Sequence, residues 1–179
     1  DDSRLKLEAF HSLGDVAARL GRPHEALAHF GEMLRVAWRM DLPAKGGAAH
    51  ARIGRLHRSL GDYGKALQHL SLAHELFDLA GDRPGIAATL DDIGRVQFLT
   101  GNSDESMTCH RSALLVREAL HDERGKALTL SWMGSVDIHK SVEAEQVNVP
   151  VELRHEEVNV NRVDVPDRPV AAGELDDAF

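Results

Sequence analysis

Histidine is the side chain that most invites a chemical role here, with eleven copies among 179 residues, but their spacing makes no metal site. His69 and His74 stand five apart, and His50 and His57 lie two helical turns apart, about 10 Å along the axis. They read as surface or partly buried imidazoles with no metal. Asp91 and Asp92 look like a carboxylate pair for acid–base work, yet adjacent helical residues point about 100° apart and cannot easily flank one bond. The pair therefore reads as a solvated helix face. Cys109 is the single cysteine and reads as a small buried filler. No GxxxxGK[ST], strand-following GxGxxG, HExxH or GxSxG pattern occurs. The expectation is a protein with no catalytic residue, no cofactor and no enzyme activity in this segment.

The length suits one ordinary domain plus a tail. A lone cysteine cannot close an intramolecular disulfide, which points to a reducing compartment such as the cytoplasm. No apolar run approaches the ~20 residues of a membrane span, and no basic-then-apolar leader opens the chain. The start at Asp1, without methionine, reads as a fragment or processed product. Charge is unevenly placed. Residues 141 to 179 hold three Arg against ten Asp and Glu, so −7 of the net −8 falls there and −1 on residues 1 to 140. That balance argues against nucleic acid and for a charge-distinct second segment.

The chain repeats itself every 40 residues. Leu13-Gly14, Ile53-Gly54, Ile93-Gly94 and Met133-Gly134 recur at that spacing, as do Leu20-Gly21, Leu60-Gly61 and Thr100-Gly101. Within each unit apolar residues step by three and four along one helical face: Phe10, Leu13, Val16, Leu20, then His50, Ile53, Leu56, Leu60, and their counterparts. A second helix follows each Gly turn, carrying Ala26, Phe30 and Met33, then Ala66, Leu70 and Ala73. Its third copy has His110 where Phe30 and Leu70 stand. The pattern predicts helices near 4–20, 24–40, 45–60, 64–80, 85–100, 104–120 and 125–139. Gly14, Gly54, Gly94 and Gly134 would let the paired helix come close, and the Gly after each first helix would supply a left-handed cap.

These residues resemble the tetratricopeptide repeat. In "IGRLHRSLGDYGKALQHLSLA" the small-and-large pattern falls on Ile53-Gly54, Gly61, Tyr63, Ala66, Leu70 and Ala73, and a longer linker would extend the commoner ~34-residue unit to 40. The 40-residue form is similar to that of Pins/LGN-type adaptors and bacterial signalling regulators. Ala17, His57 and Gln97 depart from it where an aromatic is common. The resemblance implies an all-α solenoid over residues 1–140, three helix pairs plus one helix, whose first helices line a concave groove for a protein partner. Groove positions carried over from that family include Glu8, His11, Asp15 and Arg19, then Ala51, Arg55, Arg58 and Ser59, then Asp91, Arg95, Phe98 and Leu99, and finally Ser131, Ser135 and His139. Arg55 and Arg95 share a repeat position with Arg58 one turn along from Arg55, a ladder able to fork onto carboxylates, the alternative being that Arg55 or Arg95 only pairs with Asp92 or another neighbour. Phe98 and Leu99 would add an apolar pocket, so the expected ligand is an extended acidic peptide with one or two apolar anchors.

The repeat fails after residue 139. Lys140-Ser141 stands where a turn belongs and Gln146 where the small Ala belongs, so the fourth unit lacks its second helix and Leu130, Met133 and Val136 lose a partner. Residues 141–179 then read as an acidic tail. Alternating valines predict a β-hairpin at about 146–165, with Pro150 confining the first strand to an edge. Val149-Pro150-Val151, Glu156-Glu157-Val158-Asn159-Val160, Arg162 and Asp167-Arg168-Pro169-Val170 weakly resemble the YsnF/AvaK-type stress-response domain, as a fusion of two segments near residue 141 would explain. The acidic end "AAGELDDAF" could dock in the groove, with a disordered terminus as the plainer alternative. The competing function is an oligomerisation element that uses the end helix and tail.

Overall fold

The computed structural model describes residues 2–146. They form seven helices: α1 (Asp2–Arg19), α2 (Pro23–Arg39), α3 (Pro43–Ser59), α4 (Tyr63–Leu79), α5 (Arg83–Leu99), α6 (Ser103–Ala119) and α7 (Glu123–Gln146). Each start lies within two residues of the sequence expectation. The first six ends fall one residue early, and the seventh falls seven late. The hairpin and acidic end expected beyond lie outside the described residues, apart from Gln146, which is helical.

The 40-residue period does not come from a longer linker. Helices α2 to α6 are each 17 residues long, and a three-residue connection follows each of α1 to α6. The extra length is therefore in the helices. Every connection turns the same way, through one left-handed residue: Gly21, Gly61, Gly81 and Gly101, with Asp41 and His121 (φ 52° and 55°) doing the same without glycine's freedom. The backbone bonds repeat too: Gly61 N–H donates to Arg58 and Asp62 N–H to His57. Asp62, Asp82 and Asp122 then start the next helix, each accepting from the backbone N–H three residues on.

The paired helices meet at the predicted glycines. A Cβ on Gly14 would strike the Phe30 ring, one on Gly54 would lie 2.8 Å from Leu70 Cγ, and one on Gly94 2.9 Å from His110. Phe30, Leu70 and His110 are at most 2% exposed, so one packing contact carries three different side chains. Around Gly134 nothing among the described residues lies within 4 Å.

Two parts of the expected apolar face are corrected. Leu13, Val16 and Leu20 are exposed, and α1 buries Leu7, Gly14 and Ala17 instead. Leu60, the counterpart of Leu20, is exposed as well, whereas Ile53 and Leu56, the counterparts of Leu13 and Val16, are buried because they pack with Phe30 and Ala26 of the preceding α2, and no described helix precedes α1. Conversely, Val136 is 1% exposed and Met133 half-buried. The open face of α7 consists of Leu128, Leu130, Ile138 and Val142 beside Gly134.

Candidate groove

The first helices touch their counterparts one unit on, α3 with α5 and α5 with α7, while the second helices make no contact of that extent. The first helices therefore line the inner wall. On that wall the arginine ladder turns onto Asp92. Arg55 Nε donates to its Oδ2 at 2.6 Å, Arg58 Nη1 to its Oδ1 at 3.0 Å, and Arg95 Nη1 lies 3.6 Å from Oδ1. Three guanidinium groups thus share one buried carboxylate, leaving local positive charge. Burial lowers the Arg95 pKa, with Arg58 the next cause, although Asp92 opposes it. The Arg55 side chain remains 41% exposed and Arg95 32%.

Asp91 is placed elsewhere. Neither it nor Asp92 forms a solvated face; both are buried. The Asp91 carboxylate binds His110 Nδ1 at 2.9 Å, Arg117 Nη2 at 2.7 Å and Thr129 Oγ1 at 2.9 Å, tying α5 to α6 and α7. Asp91 belongs to the interior joint, so the groove expectation for it is corrected. Sequence could not show this, because its partners sit 19 to 38 residues away.

Hollows adjoin the Asp92 cluster, and two of them take in expected groove residues from the first and last units. One, about 330 Å³, is lined by Arg19, Arg52, Arg55, Ser59 and Asp15 over Phe30. Within it Arg52 donates to Asp15 at 3.1 Å. The other, about 140 Å³, brings Arg95, Phe98, Leu99 and Ser135 together with Trp132, Val136 and His110. Arg95 Cζ stacks 4.2 Å from the Trp132 ring centre. His139 meets Phe98 edge to face at 5.2 Å. Trp132 was missed by sequence reasoning. Its signal was available, since it occupies the repeat position of Arg52 and Asp92. Cys109 has a raised pKa, through burial and then Glu105, which keeps it a thiol.

Residues 47–131 match the family model described as tetratricopeptide repeat. The fold is that of tetratricopeptide repeats. The TPR region overlaps a second match, residues 129–178, to a domain of unknown function, DUF2382, which covers the segment with the YsnF/AvaK-type resemblance. Among solved structures the chain is similar to BtubC (BKLC) from P. vanneervenii, with TM-score 0.67 and 17% identity over 94% of this chain and 73% of that one. It is similar to the TPR domain of Arabidopsis FLU, with TM-score 0.60 and 18% identity over 65% and 98%. A Rap protein complexed with Competence and Sporulation Factor gives TM-score 0.72 and 16% identity over 82% of this chain and 41% of that one, so this chain spans less than half of it. No curated protein matches the sequence. No described helix is long and apolar enough to cross a membrane, and no group of three or more His, Cys, Asp or Glu among the described residues is arranged to hold a metal ion.

Proposed function

We propose that the TPR unit is a non-catalytic interaction module that takes an extended acidic peptide along the wall of first helices. One observation carries the reading: Arg55, Arg58 and Arg95 crowd a single Asp92 beside an apolar hollow, and Arg95 belongs to both. A ligand carboxylate would take up the guanidinium donors that Asp92 leaves free. An apolar side chain would enter between Phe98, Leu99, Trp132 and Val136, with Ser135 and His139 at the margin and Arg19 serving the next acidic position. The Rap complex supports a role in holding a partner for this fold, and a place in a larger cytoplasmic signalling protein suits the same reading. Trp132 gives the assay. Its fluorescence is titrated with acidic peptides against wild type and the Arg55→Glu plus Arg95→Glu variant. We expect affinity to drop by about tenfold or more; unchanged affinity would remove the groove.

A second reading, oligomerisation through the chain's end, is favoured by the exposed Leu128, Leu130, Ile138 and Val142 on α7. Light scattering separates the two, because a concentration-independent monomer disfavours it. Self-docking of the acidic end is tested by deleting residues 166–179, which should raise affinity for added peptides.

A further inference from the structure

We propose that three imidazoles packed between α3 and α4 form an acid-sensitive joint, closed while His50 and His69 share one hydrogen bond and opened when both carry charge. His50 Nδ1 and His69 Nδ1 lie 2.9 Å apart, so one ring supplies the N–H and the other the lone pair. His57 stacks on His69 with 5.7 Å between centres and 10° between planes. The other units replace this pair with groups that cannot repeat it: Phe10 stacks on His29 at 6.3 Å, and Leu90 and Cys109 hold the positions in the third.

One added proton leaves the bond intact, because an imidazolium can donate to its neutral partner. A second sets two N–H groups face to face in a site where His50 is 7% exposed. No carboxylate among the described residues lies within 4 Å of His50 or His69; Asp62 reaches only His57, at 3.9 Å. Helix α2 packs on α3, and α5 on both α3 and α4, and the charged groups that displace the titration of His50 and His69 are His69 and His57, within α3 and α4. Burial and then His69 lower the His50 pKa to about 4, and burial followed by charge on His57 lowers that of His69.

The sign follows from values below the ordinary 6.5. The joint stabilises fully above about pH 6.5, and that contribution is lost as pH falls through about 4. Helix α3 also carries Arg55 and Arg58, so acid would loosen the peptide wall. That consequence rests on the groove reading, whereas the following test needs no ligand.

Histidine resonances of the full chain are followed by NMR through the acid range, and denaturant midpoints are measured against pH for wild type and His50→Leu, which installs the third unit's residue. We expect a His50 midpoint near 4 and a folding equilibrium that falls about 80-fold more in wild type between pH 6.5 and 4. A His50 midpoint near 6.5, or parallel stability curves for the two proteins, would overturn the proposal. If His50→Leu does not fold, the wild-type resonances decide alone.

Discussion

Gly54 and Gly134 occupy the same position of the repeat but have opposite surroundings, so the same substitution should change sign between them. Alanine in a helix interior is favoured over glycine by about 1 kcal/mol, and both variants receive that gain. At Gly54 the new methyl would lie 2.8 Å from Leu70 Cγ, 3.0 Å from its Cδ2 and 3.2 Å from the Ala66 carbonyl. Leu70 is 0% exposed and cannot swing aside, so overpacking costs about 1–3 kcal/mol. At Gly134 nothing among the described residues lies within 4 Å. Gly54→Ala should therefore be neutral to about 2 kcal/mol less stable, and Gly134→Ala up to about 1 kcal/mol more stable. Their separation, about 1–3 kcal/mol, is the cost of the contact itself. Urea midpoints of the full chain, followed by helical ellipticity, measure it. Equal shifts of the same sign would refute the claim that Gly134 is open among the described residues.

Other outcomes follow from the buried charges. Asp91→Leu strands Arg117 and His110 and should cost about 3–5 kcal/mol by denaturation, whereas Asp104→Ala, which breaks an exposed pair with Lys140, should leave the midpoint unmoved. Asp92→Asn removes the internal rival for three arginines, so affinity for acidic peptides should rise in the fluorescence titration while the urea midpoint falls. The His50 depression from 6.5 to about 4 corresponds to about 3 kcal/mol. That stability is present above pH 6.5, where the unfolded chain has lost its proton, and disappears as pH drops through 4. Calorimetry across that range checks the slope.

The architecture was legible because each unit writes its own contacts. Gly14, Gly54 and Gly94 mark the close approach, and Gly21, Gly61 and Gly101 mark the turns. Errors arose where a residue's state depends on something periodicity does not encode. Leu13 and Val16 share the apolar spacing of Ile53 and Leu56, but burial at those positions depends on packing with a preceding helix such as α2, which spacing does not encode. Lys140-Ser141 lacks a turn glycine, and the apolar periodicity predicts a helix end at 139. Loss of the turn residue instead lets α7 run on to Gln146. The histidine pair was invisible because a search along one helix cannot find groups 19 residues apart on two. The arginines and the Asp92 alternative for Arg55 or Arg95 were legible, but the joining of Arg58 to the same carboxylate depends on how far α3 and α5 approach, which sequence spacing does not supply.

The side chains that α6 turns inward have one more consequence. Where α2 buries Ala26, Phe30 and Ala37, and α4 buries Ala66, Leu70 and Phe77, α6 buries Ser106, His110 and Arg117. Ser106 Oγ, His110 Nε2 and Arg117 Nε have no hydrogen-bond partner among the described residues, each a deficit of about 1–3 kcal/mol against a satisfied group. A repeat array is a row of nearest-neighbour couplings, and here the row is uneven. The first pair is joined by hydrocarbon, the second by hydrocarbon beside the His50–His69 contact, and the third chiefly by a polar joint. At neutral pH, amide exchange should therefore be faster in α6 than in α2 or α4, and native-state hydrogen exchange of the full chain checks it.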